Sequence, residues 1–143
     1  MAKSAAEARW EGSLKEGKGM MKLGSGSYEG PFTFDTRFGD KPGPTPEELL
    51  GAAHAGCFSM AFSAELGKAG YTPNLIHTTA QPVLQKVDGG FAIKRVQLKT
   101  EADIPGIKED EFQQIAQGAK DGCPVSRALA GVEIELEASL SGK

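Results

Sequence analysis

The chain has 143 residues and a mass of 15.0 kDa, with 39% hydrophobic and 24% charged residues; that is one ordinary globular domain, too apolar to stay disordered. Sixteen Lys and Arg against 19 Asp and Glu leave a net charge of -3, the wrong sign for a sequence-independent nucleic-acid binder, which needs a basic excess. The 19 glycines follow no fixed period, so collagen-like and low-complexity readings fail and tight turns are expected.

The first 40 residues read as a β meander. Trp10 and Leu14 precede the turn Lys15-Glu16-Gly17-Lys18-Gly19, Met20 to Leu23 alternate weakly, and Gly24-Ser25-Gly26-Ser27 marks a second turn. A third strand is expected through Phe32, Phe34 and Arg37-Phe38. The segment is thin in large apolar residues, so it needs something to pack on. Gly39 to Pro44 form a loop. A helix then starts at Thr45, with Pro46 at its first position and Glu48 completing a Thr-x-x-Glu capping box. It is predicted to run to Lys68, with Gly70 closing it and Pro73 beyond.

The interior of that helix, Leu49 to Leu66, is almost all small or apolar, which predicts a central core helix, apolar on most sides. His54 and Glu65 interrupt it, and no flanking anchor supports a membrane span. Gly51, Ala52, Ala53, Ala55 and Gly56 would let another backbone approach closely. Two long strands follow, 76–87 and 91–102, around the hairpin signal Asp88-Gly89-Gly90. Pro82 implies a bulge or an edge position in the first. Ile107, Phe112, Ile115, Ala116 and Ala119 recur at helical spacing up to Asp121-Gly122, and Cys123-Pro124-Val125-Ser126 opens a short helical turn. Val132, Ile134, Leu136, Ala138 and Leu140 alternate with acidic residues as a half-buried strand. The fold class expected is a single α+β domain over 1–143.

Cys57 and Cys123 are the two cysteines. With no C-x-x-C, neither a zinc ribbon nor a thioredoxin-type motif is available. The first residues lack an apolar signal region, so a reducing cytoplasm is the expected compartment, where a cysteine pair is more often reactive than structural. Cys57 alone reads as an inert buried thiol. Cys123, at a Gly-Cys-Pro junction opening a helical turn, favours a thiolate, and the two together read as a reacting pair. The competing uses are weaker. His54, Cys57, His77 and Cys123 contain only one local ligand pair, so no metal site is expected. A Cys57–His54 hydrolase dyad lacks an orienting group and an oxyanion hole. His54 is better read as a core imidazole bonded to a backbone carbonyl and His77 as a strand surface residue. Arg37 and Glu47, taken singly, are a surface arginine and a first-turn glutamate.

Thr45-Pro46-Glu47-Glu48-Leu49-Leu50-Gly51-Ala52-Ala53-His54-Ala55-Gly56-Cys57-Phe58-Ser59-Met60 resembles the active-site helix of the OsmC/Ohr family of hydroperoxide reductases, and Gly122-Cys123-Pro124-Val125-Ser126 resembles its second-cysteine motif. Arg9-Trp10-Glu11-Gly12, Lys15 to Gly19, Phe34-Asp35-Thr36-Arg37-Phe38 and Ala53-His54-Ala55 are similar to the osmotically inducible OsmC branch. Thr45 stands where the family often has asparagine and Gly56 where alanine is usual.

The resemblance implies an intertwined homodimer with active sites at the subunit interface, and a thiol peroxidase needing no cofactor. It implies Cys57 as peroxidatic nucleophile, Cys123 as resolving thiol, Arg37 as the cation near the thiolate and Glu47 as the carboxylate orienting it. A dithiol of the lipoyl type is the implied reductant. Leu50, Phe38, Met60 and Phe62 would favour organic hydroperoxides over hydrogen peroxide if they line the pocket; otherwise they are core. Glu47 precedes Cys57 by ten residues, about 15 Å along a continuous helix. Arg37, Glu47 or both are therefore expected to act across the dimer interface. The alternative from another class is a non-catalytic dimeric module that binds a small ligand or metal, with Cys57 inert.

Overall fold

A computed structural model describes residues 2–141. In chain order it contains β1 (Ala6–Glu11), β2 (Lys18–Leu23), β3 (Glu29–Phe32), α1 (Phe34–Phe38), α2 (Pro46–Lys68), β4 (Leu75–Val87), β5 (Gly90–Asp103), α3 (Glu109–Gly122), α4 (Pro124–Ala128) and β6 (Glu133–Leu140). The α+β order expected from the sequence is present. The chain divides into two compact units, Met1–Leu49 and Leu50–Lys143, with the division inside the first turn of α2.

The first unit is an antiparallel sheet in the order β1-β2-β3. Trp10, Gly19 and Phe32 sit side by side across the three strands. A Cβ on Gly19 would come within 2.6 Å of both flanking rings, so the missing side chain lets Trp10 and Phe32 meet with centroids 5.4 Å apart. The expected third strand is cut short at Phe32, and residues 34–38 form α1 instead. Thr33 and Thr36 explain this. Thr36 N–H donates to Thr33 Oγ1 at 3.2 Å and Thr33 N–H donates to Thr36 Oγ1 at 2.9 Å, a reciprocal cap that fixes a helix start. Phe34 and Phe38 then stack one turn apart, with centroids 5.1 Å apart.

Helix α2 begins as its sequence predicts, with Glu48 N–H donating to Thr45 Oγ1 at 3.0 Å. It ends in a Schellman turn: Tyr71 N–H reaches Leu66 O at 2.9 Å, Gly70 N–H reaches Gly67 O at 3.1 Å, and Gly70 takes φ +92°. Only one stripe of the helix is buried, namely Gly51, His54, Phe58, Phe62 and Leu66. Ala52, Ala53, Gly56 and Met60 are exposed, so α2 is apolar on most sides, as its sequence reads, but covered on one.

In the second unit β4 and β5 form a long antiparallel hairpin, and β6 adds parallel to β5, giving the order β4-β5-β6. Pro82 lies on the edge strand, next to a register shift between Val83 and Leu84, so both expectations for it are met. Gly51 lets α2 approach this strand: a Cβ there would come within 2.9 Å of Ala80 O. A hydroxyl chain ties the same helix to the sheet, from Ser59 to Thr78 at 2.8 Å and from Thr78 to Thr100 at 2.9 Å. The core joins Phe58, Phe62 and Leu66 to Leu98, Ala102, Phe112, Ala116 and Ala119. Phe62 packs against Phe58 and Phe112 with centroids 5.6 and 5.7 Å away.

Candidate active site

Two groupings of polar and nucleophilic side chains stand out, one in each unit. The first is the cysteine pair. Cys57 sits half-buried on α2, three residues after buried His54 and directly before core residue Phe58. Cys123 is the junction between α3 and α4. Its N–H closes α3 on Ala119 O at 2.9 Å, its carbonyl accepts from Arg127 N–H at 3.0 Å, and Pro124 starts the next helix. A chain pinned on both sides leaves the side chain one direction, and Cys123 is fully buried against α2. The two sulfurs are 3.1 Å apart and share a hydrogen bond. Both are free, and closing to a disulfide length of about 2.05 Å takes only a small movement.

The pair is electrically unequal. Burial pushes the Cys57 thiol up, the hydrogen bond shared with Cys123 pushes it further, and a backbone contact from Val125 opposes them without winning. None of the groups that shift it is a cation. Burial also pushes Cys123 up, but the hydrogen bond with Cys57, the N–H and hydroxyl of Ser126, and the N–H of Val125 outweigh it, so this thiol titrates below its usual range. Within one chain the two thiols titrate together, Cys57 pushed up and Cys123 pushed down.

His54 faces the same place. Its Nε2 is 2.8 Å from Ser126 Oγ, and its Nδ1 is buried without a partner. The partner is thus a side-chain hydroxyl and not the backbone carbonyl expected from the sequence. Burial holds the imidazole below its usual pKa, hence neutral. His77 is exposed on β4, and no three His, Cys, Asp or Glu side chains among the described residues are grouped to hold a metal ion.

The second grouping is Arg37 on α1 with Glu47 at the start of α2. Arg37 Nε and Nη2 both donate to Glu47 Oε1, at 3.0 and 2.6 Å. The carboxylate therefore fixes the guanidinium plane. The guanidinium also lies 5.2 Å from the Phe38 ring centroid. Trp10, Leu14, Phe32, Phe34, Arg37 and Phe38 line an apolar pocket of about 320 Å³. Sequence reading named Phe38 for a pocket but missed Trp10, Leu14 and Phe34; in an exposed-looking meander no periodicity sets them apart. Of the other pocket candidates, Leu50 is half-buried, Met60 is 78% exposed, and Phe62 is fully buried in the core.

Residues 38–137 match the family model described as OsmC-like protein. The chain is 52% identical over 135 residues to peroxiredoxin OsmC of Escherichia coli (strain K12), covering 94% of each chain. The fold matches the organic hydroperoxide resistance protein OhrB of Bacillus subtilis, with a TM-score of 0.74, 24% identity and coverage of 94% and 97%. It also matches an organic hydroperoxide resistance protein from Elizabethkingia anophelis, with a TM-score of 0.71, 25% identity and coverage of 97% and 96%. The chain therefore belongs to the OsmC family, and it is a peroxidase.

Proposed function

We propose that the chain reduces organic hydroperoxides to alcohols through Cys57 and Cys123, in defence against oxidative stress. The contact between the two sulfurs at 3.1 Å carries this reading. The Cys57 thiolate attacks the outer peroxide oxygen; the O–O bond breaks, Cys57 becomes a sulfenic acid, and the departing alkoxide takes a proton to become the alcohol. Cys123 then displaces hydroxide from that sulfur, and a disulfide forms. An external dithiol, of the lipoyl type, restores both thiols by exchange.

Attack requires an anion on Cys57, whereas its own unit favours the thiol. A guanidinium beside Cys57 reverses that preference and stabilises the charge growing on the leaving oxygen. Arg37, held by Glu47, is that group in our reading, supplied by the partner in an intertwined homodimer. The exposed apolar face of α2, at Ala52, Ala53, Gly56 and Met60, supports such an assembly. The aromatic pocket beside Arg37 supports organic over hydrogen peroxide. In this assembly the whole chain acts as one OsmC-like domain.

Thiol titration tests the proposal. One equivalent of cumene hydroperoxide is expected to consume both free thiols. Retention of both would instead favour a binding module with inert cysteines.

A further inference from the structure

A disulfide offers a reductant two sulfurs to strike, and in this fold the two are not equivalent. Cys123 has no exposed surface and belongs to the core cluster with Phe112, Ala116 and Ala119. Cys57 is half-buried and packs on that cluster from its rim. Its neighbours on the outward side of α2, Ala53, Gly56 and Met60, are exposed, while His54 and Phe58 on the inward side are buried. The line joining the two sulfurs, 3.1 Å long, therefore runs from the open side of the helix into the core. Closing it to a disulfide takes a movement of about 1 Å, too little to bring Cys123 to the surface. A second copy of the chain can only add cover, so Cys123 stays out of reach in any assembly.

Thiol–disulfide exchange is an in-line displacement, in which the incoming thiolate, the attacked sulfur and the leaving sulfur form a row, and access to the attacked sulfur sets the rate. Attack on Cys57 comes along this row from the open side. Attack on Cys123 would have to come from inside the core. We propose that the external dithiol strikes Cys57 alone, so that Cys123 is the leaving thiol of the reductive step as well as the resolving thiol of the oxidative one. This rests on the reading of Cys57 and Cys123 as a disulfide-forming pair. One sulfur of the dithiol, as thiolate, bonds to Cys57 Sγ. The Cys57–Cys123 bond breaks with its electron pair on Cys123, which takes up the proton the dithiol gave up. The second sulfur of the reductant, ionised in turn, then bonds to the first. The mixed disulfide breaks, and its electron pair and the second proton go to Cys57. The dithiol ends as a cyclic disulfide, and the protein has gained two electrons and two protons.

The experiment uses the whole chain oxidised with diamide, so that no peroxide is involved. It is given a brief pulse of glutathione, a monothiol that cannot complete the second displacement. Acid stops the exchange, and N-ethylmaleimide blocks the released thiol after unfolding. Peptide mass mapping is expected to find glutathione on Cys57 and maleimide on Cys123. The reverse pattern, or equal amounts of both, would overturn the proposal. Single-cysteine variants give a second reading that needs no disulfide in the protein. Dithiodipyridine should react with Cys57 in Cys123→Ser about a hundredfold faster than with Cys123 in Cys57→Ser, because a buried sulfur reacts only through local opening. The difference should vanish in urea. Equal rates in the folded variants would sink the idea. If cumene hydroperoxide leaves both thiols intact, the peroxidase reading has failed, and the diamide and dithiodipyridine measurements still judge which sulfur is open to attack.

Discussion

The two units of the chain differ in how they hold their chemistry. Residues from Leu50 onward contain the whole buried apolar core, from Phe58 to Cys123, and the cysteine pair grows directly out of it. Among the described residues up to Leu49, only Gly30 is buried, and Trp10, Phe32, Phe34 and Phe38 line a pocket beside Arg37. The cysteine pair stands on the buried core and Arg37 beside a thin, exposed sheet.

The sharpest separation of the two regions is Cys57→Ser. Turnover with cumene hydroperoxide is expected to disappear, since Cys123 is fully buried and stands as the resolving thiol in our reading, while circular dichroism and the urea midpoint stay unchanged. Cys123→Ser should permit one turnover and then stall with Cys57 as sulfenic or sulfinic acid, read by intact mass. Next in size is a contrast in stability. Phe62→Ala opens a hole between Phe58 and Phe112 and should cost about 3–5 kcal/mol in urea unfolding. Trp10→Ala removes a cross-strand pair from an exposed sheet and should cost at most about 1 kcal/mol. A large loss from Trp10→Ala that grows on dilution would show that this sheet is stabilised by a second copy. The proposed cation comes third: Arg37→Met should slow the peroxide step about a hundredfold without moving the urea midpoint. Arg37→Lys should recover little, because one ammonium cannot reproduce the two-donor contact with Glu47.

The same contrast governs how much could be read from the sequence. In the second unit the signals were local and agreed with one another. Pro82 beside a bulge, the Gly89 turn and the alternation from Ile134 to Leu140 each specify backbone geometry that packing then reinforces. In the first unit they competed. Phe32 and Phe34 alternate like a strand, but Thr33 and Thr36 cap each other's backbone, and the helix won because that cap satisfies two donors at once. The two cysteine positions were legible from the motifs. Their inequality was not, since it depends on groups of α4, Val125 acting on both sulfurs and Ser126 on Cys123. The partner of His54 was hidden for the same reason: Ser126 is 72 residues away in the chain.

The smallest expected effect concerns that histidine as a load on the fold. Burial holds its pKa below the ordinary value of 6.5, so the unfolded chain binds a proton there more readily than the folded one. Stability from this group is complete above pH 6.5 and declines as the pH falls toward the folded-state value. One proton limits the slope to about 1.4 kcal/mol per pH unit. Urea midpoints measured from pH 7.5 down to 5.5 should fall for the wild type. His54→Gln, which fills similar space and cannot charge, should give a flatter line over the same range. Equal slopes would mean that the imidazole takes its proton as easily inside the fold as outside, and that the core around Cys123 is wetter than the burial of its side chains indicates.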